Sequence, residues 1–152
     1  MLQKKTFSRW GFILASLLVI SLILYNTFVF FTQLKANERA KMEIWAVAYN
    51  DFLSNNSPDA MVNDVILAII QSNTTTPMIL YTHKEDIYTE RNIDTLDVNS
   101  LEKKKKLVEK FKSEYKPIEI RNENELLQTI YYGNSPLINK LKYYPAFLIL
   151  II

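Results

Sequence analysis

Uncharged residues dominate the first part of the chain, and their pattern predicts a membrane-spanning helix. No charged side chain occurs from Trp10 to Leu34. A helix needs about 20 residues to cross the hydrocarbon layer, and the apolar run from Gly11 to Phe31 is long enough to do so. Asn26 is its one strongly polar residue, and Trp10 suits a position at the membrane–water interface. We therefore assign residues 10–32 to a first transmembrane helix.

A cleaved signal peptide is the alternative interpretation of this segment. Such a peptide has an apolar region of about 7–15 residues, followed by small residues at the cleavage site. The apolar run here is longer, and bulky aromatic side chains fill its end from Thr27 to Phe31. This favours an uncleaved anchor.

The charges that flank the span predict its orientation. Lys4, Lys5 and Arg9 precede it without any acidic residue, and basic flanks stay on the cytoplasmic side. Residues 1–9 are therefore expected to be cytoplasmic, and residues 33–142 to form a domain outside the cytoplasmic membrane.

Helical periodicity continues beyond the span. No Pro or Gly interrupts the chain from Phe12 to Asn56. Met42, Trp45, Tyr49 and Phe52 are 3, 4 and 3 residues apart, which places them on one helical face. The helix is expected to project from the membrane as a stalk. Its apolar face is expected to pack either against a second subunit or against the next helix of the same domain.

The outer segment then alternates between helical and extended patterns. Ser57 is predicted to cap a second helix, with Pro58 at its first position. Two short strands are predicted about a polar turn from His83 to Asp86. A further helix, with Asn99 as its expected cap, precedes a second strand pair within KPIEIRNENELLQTIYYG.

This order of elements predicts an α+β fold. Four short strands are expected to form a small antiparallel sheet with helices on one face. A long helix that leads into such a sheet is similar to the extracytoplasmic PAS-like sensor folds. The sequence thus predicts a small PAS-like domain outside the membrane.

The end of the chain predicts the beginning of a second transmembrane helix. Asn134 or Ser135 is expected to cap a last helix, which leads into an apolar run across residues 143–152. The residues after Pro145 are all apolar, but seven of them reach only about 10 Å into a layer of about 30 Å. We expect a fragment whose parent chain continues through the membrane. The alternative is a short protein with a partial anchor.

Pro145 follows two tyrosines at this boundary, in the sequence KYYP. Tyrosine is favoured at the membrane–water interface, and proline inside a helix removes a backbone hydrogen bond and produces a kink. Pro145 is therefore expected either to bend a continuous helix at the outer boundary or to begin a new helix there.

Composition excludes several kinds of site. The net charge of +2 and a nearly neutral outer segment do not favour nucleic-acid binding. The absence of cysteine excludes disulfides and thiolate metal sites, and two glycines leave no phosphate-binding loop. We expect no catalytic residue, cofactor or metal in this chain.

Four aromatic positions remain as candidates for binding. The single histidine, His83, lies in a predicted turn, where a solvated side chain is expected rather than a metal ligand. Tyr81, Tyr88 and Tyr131 lie on predicted strands, where tyrosine packs in cores or lines ligand pockets. Both interpretations of the tyrosines stay open here.

Two stretches carry a resemblance to a known family. KKTFSRWGFILASLLVISLILYNTFVFF followed by KANERAKMEIWA resembles the start of membrane sensor histidine kinases of the Bacteroidetes group, and IYYGNSPLINKLKYYP resembles the end of their outer domain. The resemblance implies a homodimer in the bacterial inner membrane with a periplasmic sensor domain. It also implies a cytoplasmic kinase, absent from this chain, that uses ATP and Mg²⁺ and acts on a response regulator.

Two functions follow from these observations. The first is the signal-input and membrane-spanning part of a two-component sensor histidine kinase, with Trp45, Tyr49 and Pro145 on the path of signal transmission. The second is a membrane-anchored structural or assembly protein of the cell envelope, without an enzymatic domain. The stimulus is unknown in either case.

Overall fold

Ten helical and strand elements form the part of the chain that the computed structural model describes, which is residues 2–54, 64–122 and 124–151. The α-helices are α1 (Leu2–Ser54), α2 (Asp64–Ser72), α3 (Leu101–Glu114), α4 (Pro136–Lys142) and α5 (Tyr144–Ile151). The strands are β1 (Met78–Thr82), β2 (Ile87–Arg91), β3 (Ile118–Asn122) and β4 (Glu125–Tyr132), and a short 3₁₀ helix covers Thr95–Asp97. The predicted cap at Ser57 and the first helical position at Pro58 lie outside the described residues.

The first helix is continuous over 53 residues, which corresponds to about 80 Å and confirms the prediction of one helix that outlasts a membrane. Among the described residues, α1 is the one helix that is long and apolar enough to cross a membrane. Most large apolar side chains of its uncharged segment are exposed, as shown by Phe12 at 78%. Such a helix is compatible with a membrane protein.

The four strands form one antiparallel sheet in the order β2-β1-β4-β3. Both strand pairs that the sequence predicted are present, and the first and last strands lie side by side at the centre of the sheet. Asp86 closes the first hairpin with a φ of 54°, a left-handed conformation that short polar side chains tolerate. The prediction of an α+β fold with a long N-terminal helix and an antiparallel sheet is confirmed.

Helices cover both faces of this sheet, so the prediction of helices on one face is wrong. Met78 and Leu80 point to the face on which α1 packs, whereas Ile79 between them packs against α3. Side chains alternate between the two faces of a strand, so a strand that is apolar at every position is suited to burial on both sides. The domain therefore has three layers.

Two helix caps also differ in detail from the sequence prediction. Ser100, rather than Asn99, caps α3, because its side chain accepts the backbone N–H of Lys103. Ser135 occupies the cap position of α4, as one of the two predicted alternatives, but without a capping hydrogen bond from its side chain.

Candidate functional site

Charged side chains of α1 attach the long helix to the sheet domain, and we call this contact the junction. It comprises Lys35, Glu38, Arg39 and Lys41 of α1 together with the groups that they bind. These residues follow directly on the uncharged run, so the junction lies where the helix leaves its apolar segment.

One side of the junction binds the segment between α3 and β3. The Lys35 ammonium donates to the Glu114 carbonyl at 3.0 Å and lies 4.6 Å from the centre of the Tyr115 ring. The Arg39 guanidinium donates to the carbonyl of Lys116 and, at 3.1 Å, to the Tyr132 hydroxyl. Two positive charges thus hold the entrance of β3 and the end of β4 against α1.

The opposite side binds the turn between α2 and β1. The Thr76 hydroxyl donates to the Glu38 carboxylate and accepts from the Lys41 ammonium, which lies 2.8 Å away. Asn73 is buried and accepts the Thr76 backbone N–H through its side chain at 3.1 Å. Asn92 donates to the Thr76 carbonyl at 3.0 Å, which connects the turn to the end of β2.

An apolar contact continues the junction toward the end of α1. Met42 and Trp45 are buried in the core below the sheet, at 0% and 3% exposed. The Trp45 indole N–H donates to the Ile70 carbonyl of α2 at 2.9 Å, and its ring stacks on Tyr49 at 4.9 Å. Of the two partners predicted for this face, the structure shows the domain's own second helix.

Burial perturbs two tyrosines of the junction. Burial raises the pKa of Tyr115, and the nearby Glu38 carboxylate raises it further. Burial also raises the pKa of Tyr132, although its hydrogen bond to Arg39 opposes this increase. Both phenols therefore stay neutral at physiological pH and serve as packing and hydrogen-bonding groups.

The helices α4 and α5 form a second connection between the sheet domain and the apolar segment of α1, and we call them together the return arm (136–151). Gly133 precedes the arm and touches Phe111, and the Asn134 backbone N–H donates to the Glu114 carboxylate at 2.7 Å. Ile138 of α4 is buried at 1% exposed. The start of the return arm is thus attached to the C-terminal end of α3, which the junction also contacts.

The return arm runs beside the apolar part of α1. A cavity of about 300 Å³ lies between them, lined by Phe28 and Phe31 of α1 and by Leu141 and Pro145 of the arm. Both apolar segments therefore lie at the same end of the sheet domain.

Pro145 lies in the first turn of α5. The preceding helix ends at Lys142, Tyr143 is its C-cap, and α5 begins at Tyr144. Of the two predictions for Pro145, the structure shows the beginning of a new helix. Proline is suited to this position because the backbone N–H groups of a first turn have no partner within the helix, so its missing N–H costs no hydrogen bond. The exposed rings of Tyr143 and Tyr144 flank the break.

The three candidate tyrosines share the sheet face that α3 covers. Tyr81 and Tyr88 are cross-strand partners whose rings stack at 4.6 Å, and Tyr131 lies on the neighbouring β4 with the Lys112 ammonium 5.5 Å from its ring. The Tyr81 hydroxyl donates to the Asp86 carboxylate at 2.8 Å, and this bond raises the pKa of Tyr81. Tyr88 also lines a cavity of about 270 Å³.

His83 lies at the edge of this aromatic cluster. Its Nε2 is 2.8 Å from the Thr129 hydroxyl, and its ring meets that of Tyr81 edge-on at 4.7 Å. No group of three or more His, Cys, Asp or Glu side chains suited to hold a metal ion occurs among the described residues. The histidine acts here as a packing and hydrogen-bonding group of the hairpin.

Sequence reasoning missed the charged half of the junction. Lys35, Glu38, Arg39 and Met42 are spaced 3, 1 and 3 residues apart, so the charges extend the same helical face that carries the buried Met42. Charges on the inner face of an amphipathic helix are a signal for partners in the domain. The backbone carbonyls and hydroxyls that serve as those partners are not visible in the sequence.

Comparison of the chain with protein-family models, with curated proteins and with solved structures found no match.

Proposed function

We propose that this chain is the signal-input and membrane-spanning part of a two-component sensor histidine kinase. One observation carries the proposal: α1 and the return arm approach each other at the end of the sheet domain where both become apolar. A domain attached to a membrane by two adjacent helices can transmit a shift of one helix relative to the other. Bistable packing between rigid elements is the usual basis of such transmission.

The membrane topology belongs to the same proposal. Lys4, Lys5 and Arg9 keep the N-terminus in the cytoplasm, α1 crosses the bacterial inner membrane over residues 10–32, and the sheet domain lies in the periplasm. Residues 143–152 begin the second crossing. The domain is of the PAS-like type, and it is the part that meets the stimulus.

The stimulus would act through the junction. A ligand near Tyr81, Tyr88 and Tyr131 lies on the α3 side of the sheet, and α3 leads to Glu114 and Tyr115, which contact Lys35. A movement of α3 would thereby reach α1 through Lys35 and the return arm through Asn134, which Glu114 also binds. Trp45 and Tyr49 resist rotation of α1, and Pro145 decouples α5 from α4.

The resemblance to sensor histidine kinases supports the rest of the proposal. It implies a homodimer, a cytoplasmic kinase that uses ATP and Mg²⁺, and a response regulator as the partner. This chain contributes sensing and transmission rather than phosphoryl transfer.

A second candidate is a membrane-anchored structural or assembly protein of the envelope. The attachment of α1 on both sides, to Lys116 and to Thr76, favours it, because a rigid anchor needs such fixation and a sensor does not require all of it. The coding sequence beyond codon 152 separates the two functions. A histidine-bearing helix and an ATP-binding domain support the kinase, and a stop codon close by supports the structural protein.

Phosphorylation of the full-length protein tests the sensor function itself. Membranes that contain the protein are incubated with Mg²⁺ and labelled ATP, and acid-labile phosphohistidine is measured. Arg39→Gln is expected to change the basal rate, because it removes the donor to Lys116 and Tyr132. The matched control Lys105→Gln, on the exposed side of α3, is expected to leave it unchanged. No phosphohistidine, or equal rates for wild type and Arg39→Gln, would contradict the proposal.

A further inference from the structure

The cavity between α1 and the return arm, which we call the arm cleft, has an almost entirely apolar wall. Its volume is about 300 Å³, and the residues that line it are Leu24, Thr27, Phe28, Phe31, Leu141, Lys142 and Pro145. The Thr27 hydroxyl donates to the Ile23 carbonyl within α1 at 2.8 Å, so its proton is already used inside the helix. Among the residues on this wall, Lys142 carries the one charge.

The arm cleft lies in the second half of the 10–32 span. Leu24 and Phe31 are about 10 Å apart along the helix, and one leaflet accounts for half of a hydrocarbon layer of about 30 Å. The cleft therefore extends over about two-thirds of one leaflet. Tyr143 and Tyr144 at its other wall are 65% and 53% exposed, and tyrosine is favoured at the membrane–water interface. With the topology proposed above, the end of the cleft at Lys142 lies at the level of the outer headgroups.

The dimensions of the arm cleft fit an extended hydrocarbon chain and exclude a further helix. About 300 Å³ distributed over a length of about 10 Å gives a mean cross-section of about 30 Å². A helix with its side chains is about 10–12 Å across and needs a cross-section of at least about 80 Å². Phe28 lines the cleft and is 69% exposed, so the cleft is open to the surroundings of α1. A single acyl chain can therefore enter it from the bilayer.

Positive charge is concentrated at the end of the arm cleft that faces the domain. Lys142 lies on its wall, and Lys35 lies one turn beyond Phe31 on the same face of α1. The chain has no acidic residue before Glu38 or after Glu125, so the segments that line the cleft contain no carboxylate. Within the described part of the chain Lys142 is in no ion pair, and Lys35 donates to a neutral backbone carbonyl. An anionic group is the complement of this end of the cleft.

We propose that the arm cleft binds an anionic phospholipid of the outer leaflet, with one acyl chain inside the cleft and the phosphate at the Lys142 ammonium. The inference rests on the membrane anchoring in the proposed function, and it needs neither the kinase nor a stimulus. Basic pockets between transmembrane helices bind anionic lipid headgroups. The acyl chain contacts Phe28 on one side and Leu141 on the other, so the bound lipid connects α1 with the return arm.

Quenching of tryptophan fluorescence by brominated lipids tests the site in vesicles that contain the full chain. In a Trp10→Phe background, Phe28→Trp places a reporter on the wall of the arm cleft. Phe30→Trp is the matched control, because Phe30 is exposed at nearly the same depth but is not among the residues that line the cleft. Trp45 is buried in the sheet domain, about 25 Å along α1 from position 28, and gives a constant background. The vesicles consist of phosphatidylcholine with a minor fraction of phosphatidylglycerol.

The measured quantity is the preference for the anionic lipid at each reporter. Bromine is placed either on phosphatidylglycerol or on an equal fraction of the phosphatidylcholine, and the two degrees of quenching are compared. At position 28 the brominated anionic lipid is expected to bind with about fivefold higher apparent affinity, as for one cationic side chain near an anionic lipid. At position 30 no preference is expected, because the lipids that surround the helix there exchange freely.

Two further substitutions separate the headgroup contact from the acyl-chain contact. Lys142→Gln is expected to remove the preference at position 28, whereas Lys142→Arg keeps the charge and is expected to retain it. Lys105→Gln removes the same charge from the exposed side of α3 and is expected to have no effect. Thr27→Phe fills the arm cleft without changing any charge, and it is expected to remove the preference because the acyl chain no longer fits.

Equal preference at positions 28 and 30, or a preference at position 28 that survives Lys142→Gln or Thr27→Phe, would overturn the site. Quenching at position 30 with none at position 28 would overturn it as well, because protein would then fill the cleft. Quenching at neither position would show that α1 is outside the bilayer, and would remove the anchoring in the proposed function together with the site. A lipid preference as expected, without phosphohistidine in the full-length protein, removes the kinase and keeps the site.

Discussion

The indole N–H of Trp45 donates to the carbonyl of Ile70 at 2.9 Å, and this bond joins the long helix to the short helix that follows it. Trp45 is 3% exposed, so water does not replace a lost partner there. The contact settles which face of α1 belongs to the domain. The remaining face is thereby left for other contacts.

Trp45→Phe is expected to destabilise the sheet domain by about 1–3 kcal/mol, because the Ile70 carbonyl loses a buried donor. Urea-induced unfolding of the detergent-solubilised chain, followed by circular dichroism, measures the change. Val65→Ala on α2 is the control, since Val65 is 62% exposed and its replacement is expected to cost less than about 0.5 kcal/mol. Equal stability of Trp45→Phe and wild type would place the indole outside the α1–α2 contact.

Gly133→Ala is expected to destabilise the domain by about 1–3 kcal/mol through overpacking. A Cβ at this position would lie 2.3 Å from Phe111 Cε1 and 2.9 Å from the Glu114 carboxylate, which accepts the backbone N–H of Asn134. Gly11→Ala is the matched control, because nothing lies within 4 Å of a Cβ there.

A double variant identifies the cause of the Gly133 effect. In a Phe111→Leu background the added methyl group meets a smaller side chain, so the further cost of Gly133→Ala should be reduced. If the cost is the same in both backgrounds, the close approach to Phe111 is not its source. Unfolding of both single variants and the double variant under one set of conditions provides the comparison.

Alkaline pH is expected to lower the stability of the domain from about pH 10 upward. Burial raises the pKa of Tyr115 and of Tyr132 above the unfolded value of about 10. The folded state therefore holds protons that the unfolded state releases, so the free energy of unfolding falls as the pH rises above 10. Below that pH both states are neutral at these groups, and the contribution is constant.

Tyr115→Phe should reduce this alkaline decline and should change stability little at pH 7. Among the described residues the buried Tyr115 hydroxyl has no hydrogen-bond partner, so its removal leaves no group unsatisfied. Unfolding at pH 8 and at pH 11 for Tyr115→Phe, with the exposed Tyr143→Phe as control, measures the difference. An unchanged decline in Tyr115→Phe would assign the effect to other groups.

Pro145→Ala should join α4 and α5 into one helix, because alanine restores the N–H that proline lacks. In the full-length protein, under the proposed kinase function, the stiffer arm is expected to change the basal rate of phosphorylation while expression and membrane insertion stay the same. Leu137→Ala, exposed in the first turn of α4, is the control. An unchanged rate with and without stimulus would restrict Pro145 to marking the helix boundary.

Local pattern predicted much of the fold. The period of apolar residues indicated the long helix, α3 and both hairpins, since each depends mainly on neighbours in sequence. The layers were harder to predict. Met78, Ile79 and Leu80 form a continuous apolar run, which is typical of a strand covered on both faces, and this signal was available in the sequence.

The junction could be predicted only in part. The apolar face of Met42 and Trp45 follows from periodicity, but its partner does not, because one helical pattern fits an intermolecular and an intramolecular contact equally well. Arg39 binds a backbone carbonyl and Tyr132, more than 90 positions away in the sequence. Such contacts depend on the sheet register, which brings β4 beside β1 and the end of α3 beside α1.

The proposed location of the sheet domain, outside the cytoplasmic membrane, is tested most directly by cysteine-accessibility labelling of Lys105→Cys. Position 105 is exposed on α3, and Lys4→Cys provides the cytoplasmic comparison. A membrane-impermeant thiol reagent is applied to cells whose outer membrane alone has been permeabilised. Labelling at position 105 before lysis, and at position 4 only after lysis, is the predicted result. Protection at position 105 until the cells are lysed would contradict the orientation and the role of this domain as an external sensor.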